Sequence, residues 1–125
     1  MDEPIIFKEE SYEIIGACME VHNYLGSGFS EIVFKDALEY EFRQRDIPFE
    51  REKRYTVQYK SIVLPHVFYA DFVVFDAIIL EVKSVSQFTN EFTAQCINYL
   101  KVSGNPLALL INFGETRLAY KRIVL

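Results

Sequence analysis

Three ionisable residues, Asp71, Glu81 and Lys83, stand inside the runs Val67–Phe75 and Ala77–Val85, whose other members are mostly apolar. An ionised group in a buried strand is costly unless it is paired, hydrated or bound to a metal. Side chains two apart share one face of a strand, so Ile79, Glu81, Lys83 and Val85 project together. Asp71 precedes Glu81 by ten residues, across the short turn Phe75-Asp76-Ala77. Antiparallel pairing brings the two carboxylates side by side, where unneutralised like charges repel. A divalent cation removes that conflict, and two carboxylates with water suit Mg²⁺ or Mn²⁺. Lys83 is then placed to orient an attacking water or to stabilise charge on a phosphate. The plainer alternative is a Glu81–Lys83 ion pair on a solvated strand face, with Asp71 hydrated. The D…E-x-K pattern alone does not decide between them, because many surface strands contain one.

Two helical segments add to the pattern. Glu31 lies three residues before Phe34 and seven before Leu38, on their apolar stripe. Its alternative role is a favourable charge near a helix N-terminus. Gln95 falls between Phe92 and Tyr99 at helical spacing, so Gln95 and Tyr99 can point to one place. A core tyrosine beside a half-buried glutamine is the plainer reading of that pair.

The elements that must carry these residues follow from periodicity. Apolar residues recur at helical spacing from Lys8 to Leu25, and Gly26 suits a helix end. A second helix is predicted from Ser30 to Arg45, with Phe34, Ala37, Leu38 and Phe42 inward. Strand-like runs come next, at Tyr55–Lys60, Val67–Phe75 and Ala77–Val85, with a turn at Tyr59–Ile62. A third helix is predicted from Asn90 to Val102, stopped by Gly104 and Pro106. Leu107–Phe113 and Arg117–Leu125 read as final strands. The 125 residues suit one domain, and half are hydrophobic, so a packed mixed α/β fold with a central sheet between helices is expected.

The motifs resemble those of a known family. Gly28-Phe29-Ser30-Glu31-Ile32-Val33-Phe34 is similar to the signature of the GxxExxY family, with Phe34 in place of the usual tyrosine. Tyr69-Ala70-Asp71, Ile78-Ile79-Leu80 leading into Glu81-Val82-Lys83, and Ala94-Gln95-Cys96-Ile97-Asn98-Tyr99-Leu100 resemble its later motifs. So do Leu110-Ile111-Asn112-Phe113-Gly114 and Lys121-Arg122-Ile123-Val124. The resemblance runs from about Ile14 to Val124 and places the chain among PD-(D/E)XK nuclease-like proteins. It implies a restriction-endonuclease-like core, Asp71 and Glu81 as metal ligands, and Lys83 as the catalytic lysine. It also implies Glu31 as a further acidic catalytic residue, with Gln95 and Tyr99 facing the site from a helix. Ala70 stands where the superfamily name has proline, and Phe34 lacks the hydroxyl of the usual tyrosine.

The expected function is a Mg²⁺- or Mn²⁺-dependent nuclease, acting through a metal-activated water on DNA first and RNA as the second candidate substrate. The competing expectation is a non-catalytic interaction or regulatory module that keeps the fold. A net charge of −5 argues against a broad nonspecific grip on nucleic acid. Two local basic groups remain candidates for strand positioning: Arg51, Lys53 and Arg54, and Arg117, Lys121 and Arg122. A solvated face explains each equally simply. Cys18 and Cys96 lack metal-type spacing and read as reduced core thiols, and the acidic opening lacks a secretory pattern, so a cytoplasmic protein is expected. No stretch reaches the roughly 20 apolar residues of a membrane span. His22 and His66 have no partner at ligand spacing. Fifteen per cent aromatic residues leave apolar surface to cover, so a homodimer is expected.

Overall fold

The computed structural model describes residues 5–125. Helices α1 (Lys8–Leu25) and α2 (Glu31–Gln44) come first, followed by strands β1 (Phe49–Tyr59), β2 (Ile62–Val74) and β3 (Ile78–Lys83). Helix α3 (Asn90–Ser103) then leads to β4 (Leu107–Asn112) and β5 (Ala119–Ile123). The sheet order is β1-β2-β3-β4-β5, with β3 and β4 parallel and every other neighbour antiparallel. The α/β fold is thus a mixed five-stranded sheet flanked by helices, consistent with a restriction-endonuclease-like core.

Two apolar cores explain the layering. Ile14, Ala17, Cys18 and Val21 of α1 and Phe34, Leu38 and Phe42 of α2 pack on one sheet face, against Phe72, Val74, Ile78, Leu80 and Val82. Cys96, Tyr99 and Leu100 of α3 pack on the other face, against Ala70, Val73, Ile79, Ala108 and Leu110. Strand β4 lies between both layers and all six of its residues are buried, which is why it reads as a continuous apolar run. Phe34 is fully buried and stacks on Phe113 at 4.5 Å between centroids, so the ring at this motif position serves the core.

The helix ends follow local chemistry. Gly26 has φ 73° and its N–H donates to the His22 carbonyl, closing α1. Gly104, also at φ 73°, closes α3 with an N–H to the Leu100 carbonyl. The β2–β3 turn holds Phe75 at φ 55° and Asp76 at φ 53°, the left-handed pair of a tight hairpin whose twist matches its strands.

Strand β1 begins at Phe49, six residues before the predicted start at Tyr55. The charged run Glu50–Arg54 masks it, since only half-burial alternates there while the backbone pairs with β2. Among the described residues no helix is long and apolar enough to cross a membrane.

Candidate functional site

The site forms where two strands part. The β2–β3 ladder runs from Val74↔Ile78 to Phe72↔Leu80 and stops there, one residue short of Asp71 and Glu81. At that point β2 also changes face. Phe72 and Val74 pack toward α1 and α2, whereas Ala70, of the same parity, packs toward α3. The neighbouring strand is irregular at the same level: Arg51↔Phe72 and Lys53↔Ala70 are paired, and Glu52 between them has φ 54°. Such breaks re-aim side chains and release backbone groups from the ladder.

The released groups are satisfied by the two carboxylates. The Asp71 N–H donates to Glu81 Oε1 at 3.0 Å, and the Val82 N–H donates to Asp71 Oδ2 at 2.8 Å. Each acid therefore caps a backbone donor on the other's strand. Glu81 is buried, only 2 % exposed. Burial pushes its carboxyl well above the usual range and the charge of Asp71 pushes it further, against the backbone hydrogen bond and Lys83.

A lysine completes this arrangement. Lys35, buried on α2, donates from Nζ to Asp71 Oδ1 at 2.9 Å and also to the Glu52 carboxylate. Burial opposes its charge, but the hydrogen bonds and charges of Glu52 and Asp71 outweigh burial and raise its pKa. Neither Lys35 nor Glu52 is among the residues that the sequence motifs assign to the site. Lys35 sits three residues before Leu38 and seven before Phe42, the same inward spacing used for Glu31, and that signal could have found it. Nothing local marks Glu52, whose left-handed backbone arises from strand pairing.

Lys83 projects toward α3, where Nζ donates to Gln95 Oε1 at 3.1 Å and lies 4.8 Å above the Phe92 ring. The Tyr99 hydroxyl donates to the Tyr69 carbonyl at 2.8 Å, pinning β2 just before Asp71. Burial, then the charges of Glu81 and Asp71, push the Tyr99 phenol upward. Glu31 opens α2 and is exposed, yet it senses the site: burial raises its carboxyl, Lys83 lowers it, Asp71 raises it and Lys35 lowers it. The Ser84 hydroxyl donates to the Phe29 carbonyl at 2.7 Å, tying the end of β3 to the loop before Glu31. Asp71, Glu81, Lys83 and Gln95 are thus linked at one end of the sheet, with Tyr99 as a wall and Glu31 at the margin.

Asn112 supports this end from below. It is fully buried; Oδ1 accepts the Val85 and Gly114 N–H groups, and Nδ2 donates to the Val85 carbonyl and to Glu115. The Phe113 N–H adds a bond to the Lys83 carbonyl at 2.8 Å. A Cβ on Gly114 would meet the Val85 carbonyl oxygen at 2.2 Å, so glycine is required for that close approach.

The basic groups are more committed than their sequence clustering suggests. Arg51 pairs with Asp36 at 2.8 Å and Glu39 at 3.9 Å, and Lys53 pairs with Glu50 at 3.3 Å. Arg122 donates to Ser11 and to the Ile6 carbonyl, Lys121 lies over the Phe88 ring, and Arg54 is exposed on β1. His22 is buried with its ring nitrogen 2.9 Å from the Glu115 carbonyl, while Cys18 and Cys96 are free and buried.

The family model of the PD-(D/E)XK nuclease superfamily matches residues 8–123. The chain belongs to this superfamily. No curated protein and no solved structure matches it. Asp71, Glu81 and Lys83, the residues that the sequence resemblance assigns to the site, lie within this matched span, at the point where β2 and β3 separate. PD-(D/E)XK nucleases generally use Mg²⁺ or Mn²⁺. Among the described residues, no three His, Cys, Asp or Glu side chains converge to hold a metal unaided. The donor set nevertheless fits such an ion. Mg²⁺ is commonly held by one or two carboxylates plus substrate phosphates and water. Here burial and the charge of Asp71 raise the Glu81 carboxyl, and Asp71 Oδ1 already accepts a lysine ammonium, so a carboxylate pair with a cationic partner is present.

Proposed function

We propose that this chain is a GxxExxY-type nuclease that hydrolyses phosphodiester bonds in nucleic acid, with DNA the first candidate substrate and RNA the second, using Mg²⁺ or Mn²⁺. One observation carries the reading: Asp71 and Glu81 are locked side by side through each other's strands, with Lys83 one strand repeat away. Asp71 and Glu81 are the residues that would hold the cation. A bound divalent ion supplies Lewis acidity there, lowering the pKa of water and taking up charge on a phosphate oxygen. Lys83 contributes a second positive charge for the phosphate, and Gln95 fixes the direction of its amine. Glu31, whose carboxyl feels the charges of Lys83 and Asp71, would orient the water that attacks phosphorus as the ester P–O bond breaks. Arg54 and Lys121 are the basic residues we assign to steadying a strand, since Arg51, Lys53 and Arg122 pair with groups within the chain.

Two free, buried cysteines support a reducing compartment, and hence the cytoplasm. Exposed Tyr24 and Tyr40, which line one groove between α1 and α2, support a homodimer through that groove, which sedimentation across a wide concentration range tests.

The test of activity is incubation of pure protein with labelled single-stranded, duplex and branched DNA and with RNA, in Mg²⁺ or Mn²⁺. Wild type cleaves at least one DNA substrate and Lys83→Ala does not. A second reading, the non-catalytic interaction module, is favoured by the lysine seated on Asp71. Absence of cleavage and of Mn²⁺ binding by wild type would leave that reading in front.

A further inference from the structure

The two oxygens of Asp71 are engaged differently. Oδ2 accepts the Val82 N–H at 2.8 Å, a bond that holds β3 beside β2. Oδ1 accepts only Lys35 Nζ, at 2.9 Å, among the hydrogen bonds of the described residues. A cation binding Asp71 without breaking the strand contact therefore uses Oδ1, where the ammonium already sits. A second positive charge at that distance from a divalent ion is repelled strongly at a partly buried site. Lys35 is buried and, among the described residues, has one other anionic partner within reach, Glu52. Glu52 is held at φ 54°, a conformation that L side chains rarely adopt, and its side chain remains about half exposed (48 %). A residue kept in such a conformation beside a site suggests a task there.

We propose that Lys35 is a positioning residue of the site: it serves as the counter-ion of Asp71 without metal and withdraws onto Glu52 when Asp71 takes a divalent cation. The inference rests on the metal site proposed above. Lys35 offsets the charge of Asp71 beside Glu81, while the Val82 N–H keeps Asp71 Oδ2 in place. Glu52 is the holding point that keeps the displaced ammonium paired. Metal affinity is set in part by this exchange, and Lys35 weakens it while Glu52 strengthens it.

Calorimetric titration of the full chain with Mn²⁺ alone tests the exchange, using wild type, Lys35→Met, Glu52→Gln and the double variant. Lys35→Met is expected to tighten Mn²⁺ binding by roughly tenfold, as loss of a competing charge at a partly buried site does. Glu52→Gln is expected to weaken it by roughly threefold, since Lys35 then has Asp71 as its sole anchor. The sign pattern alone would also follow from charge acting through space. The cycle separates the two, because coupling through one shared partner is non-additive. In the Lys35→Met background the Glu52→Gln effect disappears if Glu52 acts by receiving Lys35. An equal effect in both backgrounds overturns the proposal, as does unchanged or weaker Mn²⁺ binding by Lys35→Met. Melting curves give an independent reading: Lys35→Met melts lower than wild type without metal and gains more on Mn²⁺ addition. If Lys35→Met does not fold, Lys35→Gln, which removes the charge and keeps a donor, carries the same cycle. Binding of Mn²⁺ by neither wild type nor variant defeats the metal site itself, and this inference with it. Binding by wild type with an additive cycle defeats this inference alone.

Discussion

Glu81 accepts the backbone N–H of Asp71 while Asp71 accepts that of Val82, so the acids are bound to each other's strands although their charges repel. The native state holds a proton on Glu81 more tightly than the unfolded chain does, because its carboxyl is raised. Metal-free stability therefore falls as pH rises from the ordinary value of 4.5 toward the raised native value, and the loss is complete above it. Glu81→Gln keeps an acceptor for the Asp71 N–H and removes the charge. It is expected to raise metal-free stability at pH 8 by about 1 kcal/mol, the upper scale of a cross-strand pair. Its stability should also lose part of the slope with pH. Urea melts at pH 5 and pH 8 measure both, and a Glu81→Gln protein less stable than wild type at pH 8 would contradict the charge conflict.

Lys83 and Gln95 should separate by kinetics. Lys83→Ala is expected to lower kcat by about 10²-fold or more, the scale of losing one charge-stabilising group. Mn²⁺ affinity should be retained, because Lys83 is not a ligand. Gln95→Ala frees the amine without removing it, so kcat should fall about tenfold with KM little changed. Single-turnover cleavage with each variant distinguishes them, and equal defects would show that Gln95 does more than orient Lys83.

Asn112 is expected to be the most sensitive polar position outside the site. Asn112→Ala strands the Val85 and Gly114 N–H groups in a buried place and deletes four hydrogen bonds. The loss should be about 3 kcal/mol, the scale of several buried groups left unsatisfied. Chemical denaturation measures it, and a loss below about 1 kcal/mol would mean that water replaces the amide.

The two thiols should be silent in the native protein. Burial pushes Cys96 up to about 12, with the charges of Glu81 and Asp71 adding to it and Lys83 opposing, and it pushes Cys18 higher still. Native protein at pH 8 should therefore not react with a disulfide reagent until denaturant is added. Since the folded thiols hold their protons more tightly, stability should fall as pH rises above the ordinary thiol value of 9.0. Rapid labelling of one thiol at pH 8 without denaturant would show that α3 or α1 opens readily.

The sequence determined the order of the elements and the placing of Asp71, Glu81 and Lys83 on adjoining strands, though not where β1 and β2 begin. Helix α1 spans the predicted Lys8–Leu25 because an apolar stripe and a terminal glycine are both local signals. The approach of Asp71 to Glu81 was legible because a short turn makes their strands antiparallel neighbours, and Lys83 follows two residues on along β3. Gln95 and Tyr99 were legible as helical neighbours, but not their separate tasks: one holds Lys83 and the other holds the Tyr69 carbonyl. Tertiary structure alone decided the slip of face at Asp71 and the left-handed Glu52 opposite it. It also decided the reach of Lys35 across from α2 and the use of Arg51 within the fold. Periodicity reports which face of an element is apolar and stays blind to where a ladder ends. Ladder ends depend on how neighbouring strands and packed helices compete for the same backbone donors, and here two carboxylates took those donors and built the site around them.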